Sequence, residues 1–552
     1  MSINVRAAVL LVALAVLRLY VQPVYSLISD CDETFNYWEP LNLLVRGFGK
    51  QTWEYSPEYS IRSWAFLMPL QMFLVGVRRL AQAREWPTAT LFYAGRAALG
   101  LLSLVFEKNL YLELVKTTNT EVAEMWLVFQ LLNPGWFHAS VELLPSSLAM
   151  VLLLGYLKDS LRYLSTDKEK PFVSALFYLF LAGLLGWPFV LVLGVPLVLH
   201  YVLSHRMIVT LRTGFSSVLV LSMILGCVFA VDSVFYRRLT LVPWNIVKYN
   251  VLGTSADSGP HIFGTEPWYY YVFSLLLNLP VPTLMFALVA LLHTNLWPVW
   301  CSLFAWLVVF IVQPHKEERF MYPIYAFVTL ASSIGFTKVS KLLWHSKFYR
   351  HSFKAAVFAV LICQSVLRIT ALVNNYTAPL HVYSTFEPSA APTNVCTGRE
   401  WYHFPASFFL PDSHRLRFVK SGFDGLLPGD FPEEMPLLEV ISQVPEGMNQ
   451  FNRFDAGKVV PTEVCDYYVD IMIQSDPEKD VFDPTSMPLG WEVSTCAPFI
   501  DATNSSFLGR AFQIPSFALN NLPKSVRALV EKFHRVKHVQ YCVFKSSAAE
   551  QA

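Results

Sequence analysis

Charge is what this 552-residue chain has least of. Asp, Glu, Lys and Arg make up 15% of it against 54% hydrophobic residues, and the mean hydropathy is +0.41. So little charge excludes an ordinary soluble protein and makes a bilayer the natural solvent. Neither sign is in excess, with 42 Lys and Arg facing 41 Asp and Glu, so there is no basic surface for nucleic acid. A Gly-rich phosphate loop, a nucleophile elbow, zinc-ligand spacing, a heptad seam and internal repeats are all missing. Cysteine is scarce. Of eight, Cys31, Cys227, Cys301 and Cys363 lie in or beside apolar stretches, and Cys396, Cys465, Cys496 and Cys542 lie in a polar tail. The tail four permit disulfides only in an oxidising compartment, and spacing does not rank the three pairings.

What the chain has is a series of apolar runs. Residues 7–28 read as an uncleaved first span, because no small-x-small cleavage site follows, and Arg6 stays cytosolic. Residues 29–62, rich in acids and aromatics, then form a first luminal loop. A span at 63–77 returns to the cytosolic Arg78, Arg79 and Arg84. Residues 88–115 carry Arg96, Glu107 and Lys108 and read either as one tilted helix or as a broken pair. Short apolar runs flank 133–147. The run 171–203, interrupted at Gly186, Trp187 and Pro188, reads as an up-and-down pair. Spans at 214–231, 268–292, 296–312, 320–335 and 355–373 follow, and the basic loop 338–354 marks the cytosolic face.

The sum is a mainly α polytopic membrane protein with about 10–13 transmembrane helices. Residues 1–373 form the membrane domain and residues 374–552 a luminal α/β or β-rich domain, with strand-like strings at 467–473 and 539–544. Sequons at Asn375 and Asn504 suit a luminal tail.

Chemistry concentrates in two clusters. Asp30, Cys31, Asp32 and Glu33 open the first luminal loop, and carboxylates so close repel one another, which raises at least one pKa toward general-base range. Acids decorating a helix N-terminus, and a divalent-cation site on Asp-x-Asp, are the competing readings. The loop continues through Trp53, Glu54, Tyr55 and Arg62, rings and hydrogen-bonding groups suited to a sugar or to the interfacial aromatic belt. The second cluster, Gln313 to Phe320, sets His315, Lys316, Glu317, Glu318 and Arg319 between two apolar runs, where charge is expensive and function the default. His315, Lys316 and Arg319 suit a phosphate. Residues 244–268, including Tyr249, Asn250, His261, Glu266 and Trp268, read as a binding loop. Arg18, His138 and Glu142 are lone polar residues in or beside spans, for which partnered structural roles compete with substrate contact.

The Asp-Glu-Thr-Phe-Asn string at 32–36 and the His-Lys-Glu-Glu-Arg-Phe string at 315–320, with Gly186 to Pro188, Gly264 to Trp268, Asn394-Val395-Cys396 and Glu400-Trp401-Tyr402, closely resemble one family. These are the dolichyl-phosphate-mannose-dependent α1,2-mannosyltransferases of asparagine-linked glycosylation, glycosyltransferase family 22 of the GT-C superfamily. The resemblance implies a GT-C fold with an essential acid in the first luminal loop, in the endoplasmic reticulum membrane. It also implies mannose transfer with inversion from dolichyl phosphate mannose to an oligosaccharide on dolichyl pyrophosphate. Relatives often carry His-Pro where this chain has Asp30-Cys31. On that basis Asp32 is expected as base, Glu33 or Asp30 as the group that orients it, and His315, Lys316 and Arg319 as donor-phosphate ligands. Trp53, Glu54, Tyr55, Arg62, Glu266 and Trp268 are expected as substrate contacts. A phosphate leaving group needs neither a proton donor nor an obligatory metal, so no cofactor is expected beyond the lipid substrates. A transporter or lipid scramblase is the alternative; it predicts polar groups spread along a midplane path.

Overall fold

The computed structural model describes residues 4–254, 258–342 and 346–547. Among them, seven helices are long and apolar enough to cross a membrane, or eight if one bent pair counts as a span. The expected range of about 10–13 is reached only with helices whose length suffices but whose polar load is higher or whose run is shorter. These are Trp64–Ala83 (20 residues), Pro145–Thr166 (22 residues) and Pro188–Ser204.

Three local features follow from the sequence. Ala89–Thr117 is one unbroken helix of 29 residues, and its charge in the apolar layer is partnered: Glu107 Oε1 lies 2.7 Å from Arg18 Nη2, both fully buried. Gln130 Nε2 adds a third group at 2.8 Å. Second, the helical pair Glu169–Gly186 and Pro188–Ser204 parts at Trp187, whose backbone is extended ahead of the proline. Third, residues 268–292 do not form the single span expected. Tyr270–Asn278 and Val281–Ala290 meet at 107°. Pro280 and Pro282 lack the N–H groups that would carry the helix on, and Leu279 before Pro280 is held extended at φ −121°, ψ 122°.

After the first span, Val5–Tyr25, the chain folds into a helical hook rather than an open loop. The hook comprises Cys31–Glu33, a one-turn π bulge over Thr34–Trp38, and Glu39–Arg46. Asp30 Oδ1 caps its start by accepting from Asp32 N at 2.9 Å, and Gly47, at φ +93°, ends it in the left-handed conformation that a glycine adopts without strain.

Seven strands are described: β1 Lys50–Gln51, β2 Thr393–Thr397, β3 His414–Phe418, β4 Gly429–Asp430, β5 Tyr467–Ile471, β6 Trp491–Ile500 and β7 His538–Ser546. The tail holds a five-stranded sheet in the order β3-β2-β5-β7-β6. Its first three strands run parallel, and β7 runs antiparallel to both β5 and β6. Two of the three possible disulfide pairings are thereby excluded. Cys396 on β2 bonds Cys465 just before β5, and Cys496 on β6 bonds Cys542 opposite it on β7.

The hook and the tail share one core. Phe35, Trp38 and Leu41 pack in the same buried cluster as Phe404, Phe408, Val469 and Val543. Polar contacts pin them further. Arg46 donates to Ser407 O at 2.6 Å and Leu410 O at 2.8 Å, Glu39 accepts from Ser407 Oγ at 2.9 Å, and β1 pairs with β4. The tail is thus part of the wall that shapes the hook.

Candidate active site

A cavity of about 650 Å³ opens where the hook, the 313–320 loop and the tail meet. Asp30, Asp32 and Asn36 of the hook line one wall, followed by Trp53, Glu54 and Arg62. His315, Lys316, Glu317 and Arg319 stand opposite. Leu185, Trp187, Phe310 and Phe320 give it an apolar side, and Trp401, Phe423 and Asn452 come from the tail.

The two charged clusters meet through arginines. Arg319 donates from Nη2 to Asp32 Oδ2 at 2.7 Å, lies 3.2 Å from Asp30 Oδ2 through Nε, and pairs with Glu317. Arg62 reaches the same Asp32 oxygen at 3.3 Å and forks onto Glu54, 2.8 Å on both arms, while its Nη1 donates to Tyr37 Oη at 2.7 Å. Asp32 is therefore held through one oxygen between two guanidinium groups, half-buried, on the cavity lining.

Burial pushes the Asp30 carboxyl up to about 7; Arg319 draws it down, and Asp32 and Glu317 add to the rise. Glu317 goes the other way, to about 2, because Arg319 and His315 outweigh the cost of its burial. Burial disfavours the His315 imidazolium, yet Glu317 at 2.8 Å and the Gly264 carbonyl at 2.8 Å raise its pKa. Burial lowers that of Lys316, whose Nζ donates to Glu266 O at 2.9 Å and to Gln313 O. Oxygens of Asp30 and Asp32 and the Cys31 sulfur lie within 4.8 Å of one another, near enough to gather one cation. Arg319 already bridges both carboxylates, so a metal there would have to compete with a resident positive charge.

Three expected site residues lie elsewhere. Glu33 does not line the cavity: the first turn of the hook points it inward, fully buried, accepting from Trp38 Nε1 at 2.8 Å and Leu143 N at 3.0 Å. It ties the hook to the 141–144 segment and has no hydrogen bond to Asp32 among those described. Tyr55 is buried behind the wall, donating to Asn36 O at 2.7 Å. Trp268 is 64% exposed and outside the cavity, since the chain turns away after Glu266. The lone polar residues are partnered: His138 with Glu318 at 2.9 Å, and Glu142 with Ser29 at 2.7 Å.

Glu33 supplies a prediction. Burial raises its carboxyl from the ordinary 4.5 to about 7, so the folded state holds its proton more tightly than the unfolded chain does. The stability linked to that proton is fully present below about 4.5 and lost as pH rises through about 7. Glu33→Gln keeps an oxygen for Trp38 and Leu143. It is expected to retain most transfer activity and to flatten the fall in melting temperature between about pH 5 and 8; melting curves and turnover check both.

Trp187, Trp401, Phe423 and Asn452 are among the wall residues that the sequence reading did not assign to the site. Trp187 stood out as part of a helix break and of a string that carries the resemblance. The tail residues are spread over about fifty positions with no spacing signal, although Trp401 lies in a string that carries the resemblance.

Membrane helices, a sheet-bearing tail and a charged cavity where they meet make a membrane protein of the GT-C fold. The solved ArnT of Cupriavidus metallidurans bound to undecaprenyl phosphate has the same fold: 97% of each chain superposes with a TM-score of 0.52 at 11% identity. Residues 9–411 match the Alg9-like mannosyltransferase family, and the chain belongs to it. It is 51% identical over 97% of both chains to alpha-1,2-mannosyltransferase ALG9 of Saccharomyces cerevisiae, and 38% identical over 91% of both to that of Schizosaccharomyces pombe. With the Homo sapiens protein it shares 35% over 89% of this chain and 83% of the other. The chain is a mannosyltransferase enzyme of asparagine-linked glycan precursor assembly, acting between a lipid-linked sugar donor and a lipid-linked acceptor.

Proposed function

We propose that the cavity joins dolichyl phosphate mannose to an oligosaccharide on dolichyl pyrophosphate, forming an α1,2 linkage with inversion. The convergence of the acidic hook and the 313–320 loop on one cavity carries this reading, with Asp32 and Arg319 2.7 Å apart. An acceptor hydroxyl attacks the anomeric carbon, the bond from that carbon to the phosphate oxygen breaks, and Asp32 takes the hydroxyl proton. Dolichyl phosphate leaves with added negative charge beside Arg319, Lys316 and His315. Arg319 thus has two tasks, since it also holds Asp30 and Asp32 in place. Glu54, Arg62, Trp53 and Glu266 line the space left for the sugars. The leaving phosphate is matched by side-chain cations, so no metal is required. The transporter reading finds no support in the one intramembrane ion pair described above: Arg18 and Glu107 close on each other.

Purified protein with radiolabelled dolichyl phosphate mannose and defined lipid-linked acceptors tests the reading. The expected product loses its label to an α1,2-specific mannosidase, and chelator leaves the rate unchanged. No transfer, or a product of another linkage, refutes it.

The catalytic face is assigned to the lumen of the endoplasmic reticulum, with the N-terminus cytosolic; two tail disulfides support an oxidising compartment. Asn504 is exposed, whereas Asn375 is fully buried and 3.0 Å from His538. Expression in eukaryotic cells is expected to give one glycosidase-sensitive mobility shift, abolished by Asn504→Gln and untouched by Asn375→Gln. A shift that survives Asn504→Gln counts against this placement.

A further inference from the structure

A second cavity, about 590 Å³, lies at the joint between the first loop and the tail. Three bases and three acids line it: Lys50, Arg417 and Lys458, and Asp430, Glu446 and Asp455. Most are already paired. Asp430 binds Lys50 at 2.8 Å and Arg417 at 2.7 Å, and Lys458 lies 3.5 Å from Asp455. The charges balance, so the cleft carries no net charge to draw a phosphate, a metal ion or a polyanion. It does offer donors and acceptors together, which is the inventory a neutral polyhydroxyl ligand satisfies.

The cleft adjoins the reaction cavity. Pro428 lines both, and Gly447 of the cleft is followed in the chain by Met448 of the cavity. The β1–β4 pairing forms the joint, and Gln51 leads at once to Thr52, Trp53 and Glu54 on the cavity wall. Gly447 makes room for the Asp455 carboxylate at the cleft: a Cβ there would sit 2.1 Å from Asp455 Oδ2, and its φ of +78° already favours glycine. The volume falls in the ligand-pocket range of about 300–1,000 Å³.

We propose that this cleft is an outer subsite for the acceptor glycan, holding mannose units remote from the hydroxyl that reacts. The proposal rests on the acceptor reading above and adds a task for the tail, which would then bind the glycan by its length and branching as well as shape the hook.

Arg417→Ala and Asp455→Asn test it, assayed with a long branched lipid-linked oligomannose acceptor and with a short synthetic one bearing the same reactive mannose. KM for the long acceptor is expected to rise about three- to tenfold, the scale of one hydrogen bond. The short acceptor should keep its KM and kcat within about twofold. Asp455→Asn preserves the cap on Gly457 N, so it decides the matter if Arg417→Ala fails to fold. Equal effects on both acceptors, or none on either, overturn the subsite while wild-type transfer upholds the enzyme. Wild-type protein that transfers mannose to neither acceptor overturns the function and the subsite together.

Discussion

Asp32→Asn is expected to give a folded, membrane-inserted protein whose mannosyl transfer falls by about 10²–10⁴-fold, the usual contribution of a positioned base. Its amide can still accept from Arg319 and Arg62, so the hook should keep its shape, but it cannot take the proton that the acceptor hydroxyl must lose. Donor and acceptor affinity should change little and the loss should fall on kcat. Near-normal turnover would remove Asp32 from the chemistry, and Asp30, on the same wall and raised to about 7 by burial, would be the next candidate. Asp32→Asn paired with Glu33→Gln separates adjacent acids that sequence alone treats alike, one facing the cavity and the other the core.

Arg319→Ala is expected to do more damage. Asp30, Asp32 and Glu317 all lean on this guanidinium, and its removal leaves three carboxylates facing one another at the mouth of an apolar wall. Breaking a fully buried pair costs about 3–5 kcal/mol, and solvent at these partly exposed carboxylates reduces that figure. Loss of charge beside the leaving phosphate costs about a further 10²–10³ in rate. Arg319→Lys restores the charge without the fork that reaches both loops, so it should recover stability better than turnover. Thermal melting and single-turnover transfer of the two variants separate these effects. Equal activity of Arg319→Ala and wild type would end both assignments.

Much of the site was legible because charge beside hydrocarbon is costly: the acidic string at 30–33 and the basic string at 315–319 could be singled out without knowing that they touch. Their side-chain directions could not. Whether Asp32 or Glu33 faces the cavity depends on the hook's first turn and on contacts with residue 143, over a hundred positions away. The fold divides in the same way. Strands at 467–471 and 538–546 follow from short apolar strings of bulky residues between turns. The 107° bend at Asn278 and Val281 was written in Pro280 and Pro282, yet hydropathy averaged over twenty residues passes across it. Trp401, Phe423 and Asn452 enter the wall only through tertiary packing, which no spacing encodes.

The shared core of hook and tail has a consequence for biosynthesis. Phe35 and Trp38 emerge from the ribosome long before Tyr541 and Val543, which complete the same packed cluster. The active shape of the enzyme is therefore settled only after the tail sheet has been made. Two separately produced halves divided after the final membrane helix would each expose apolar surface that the other was meant to cover.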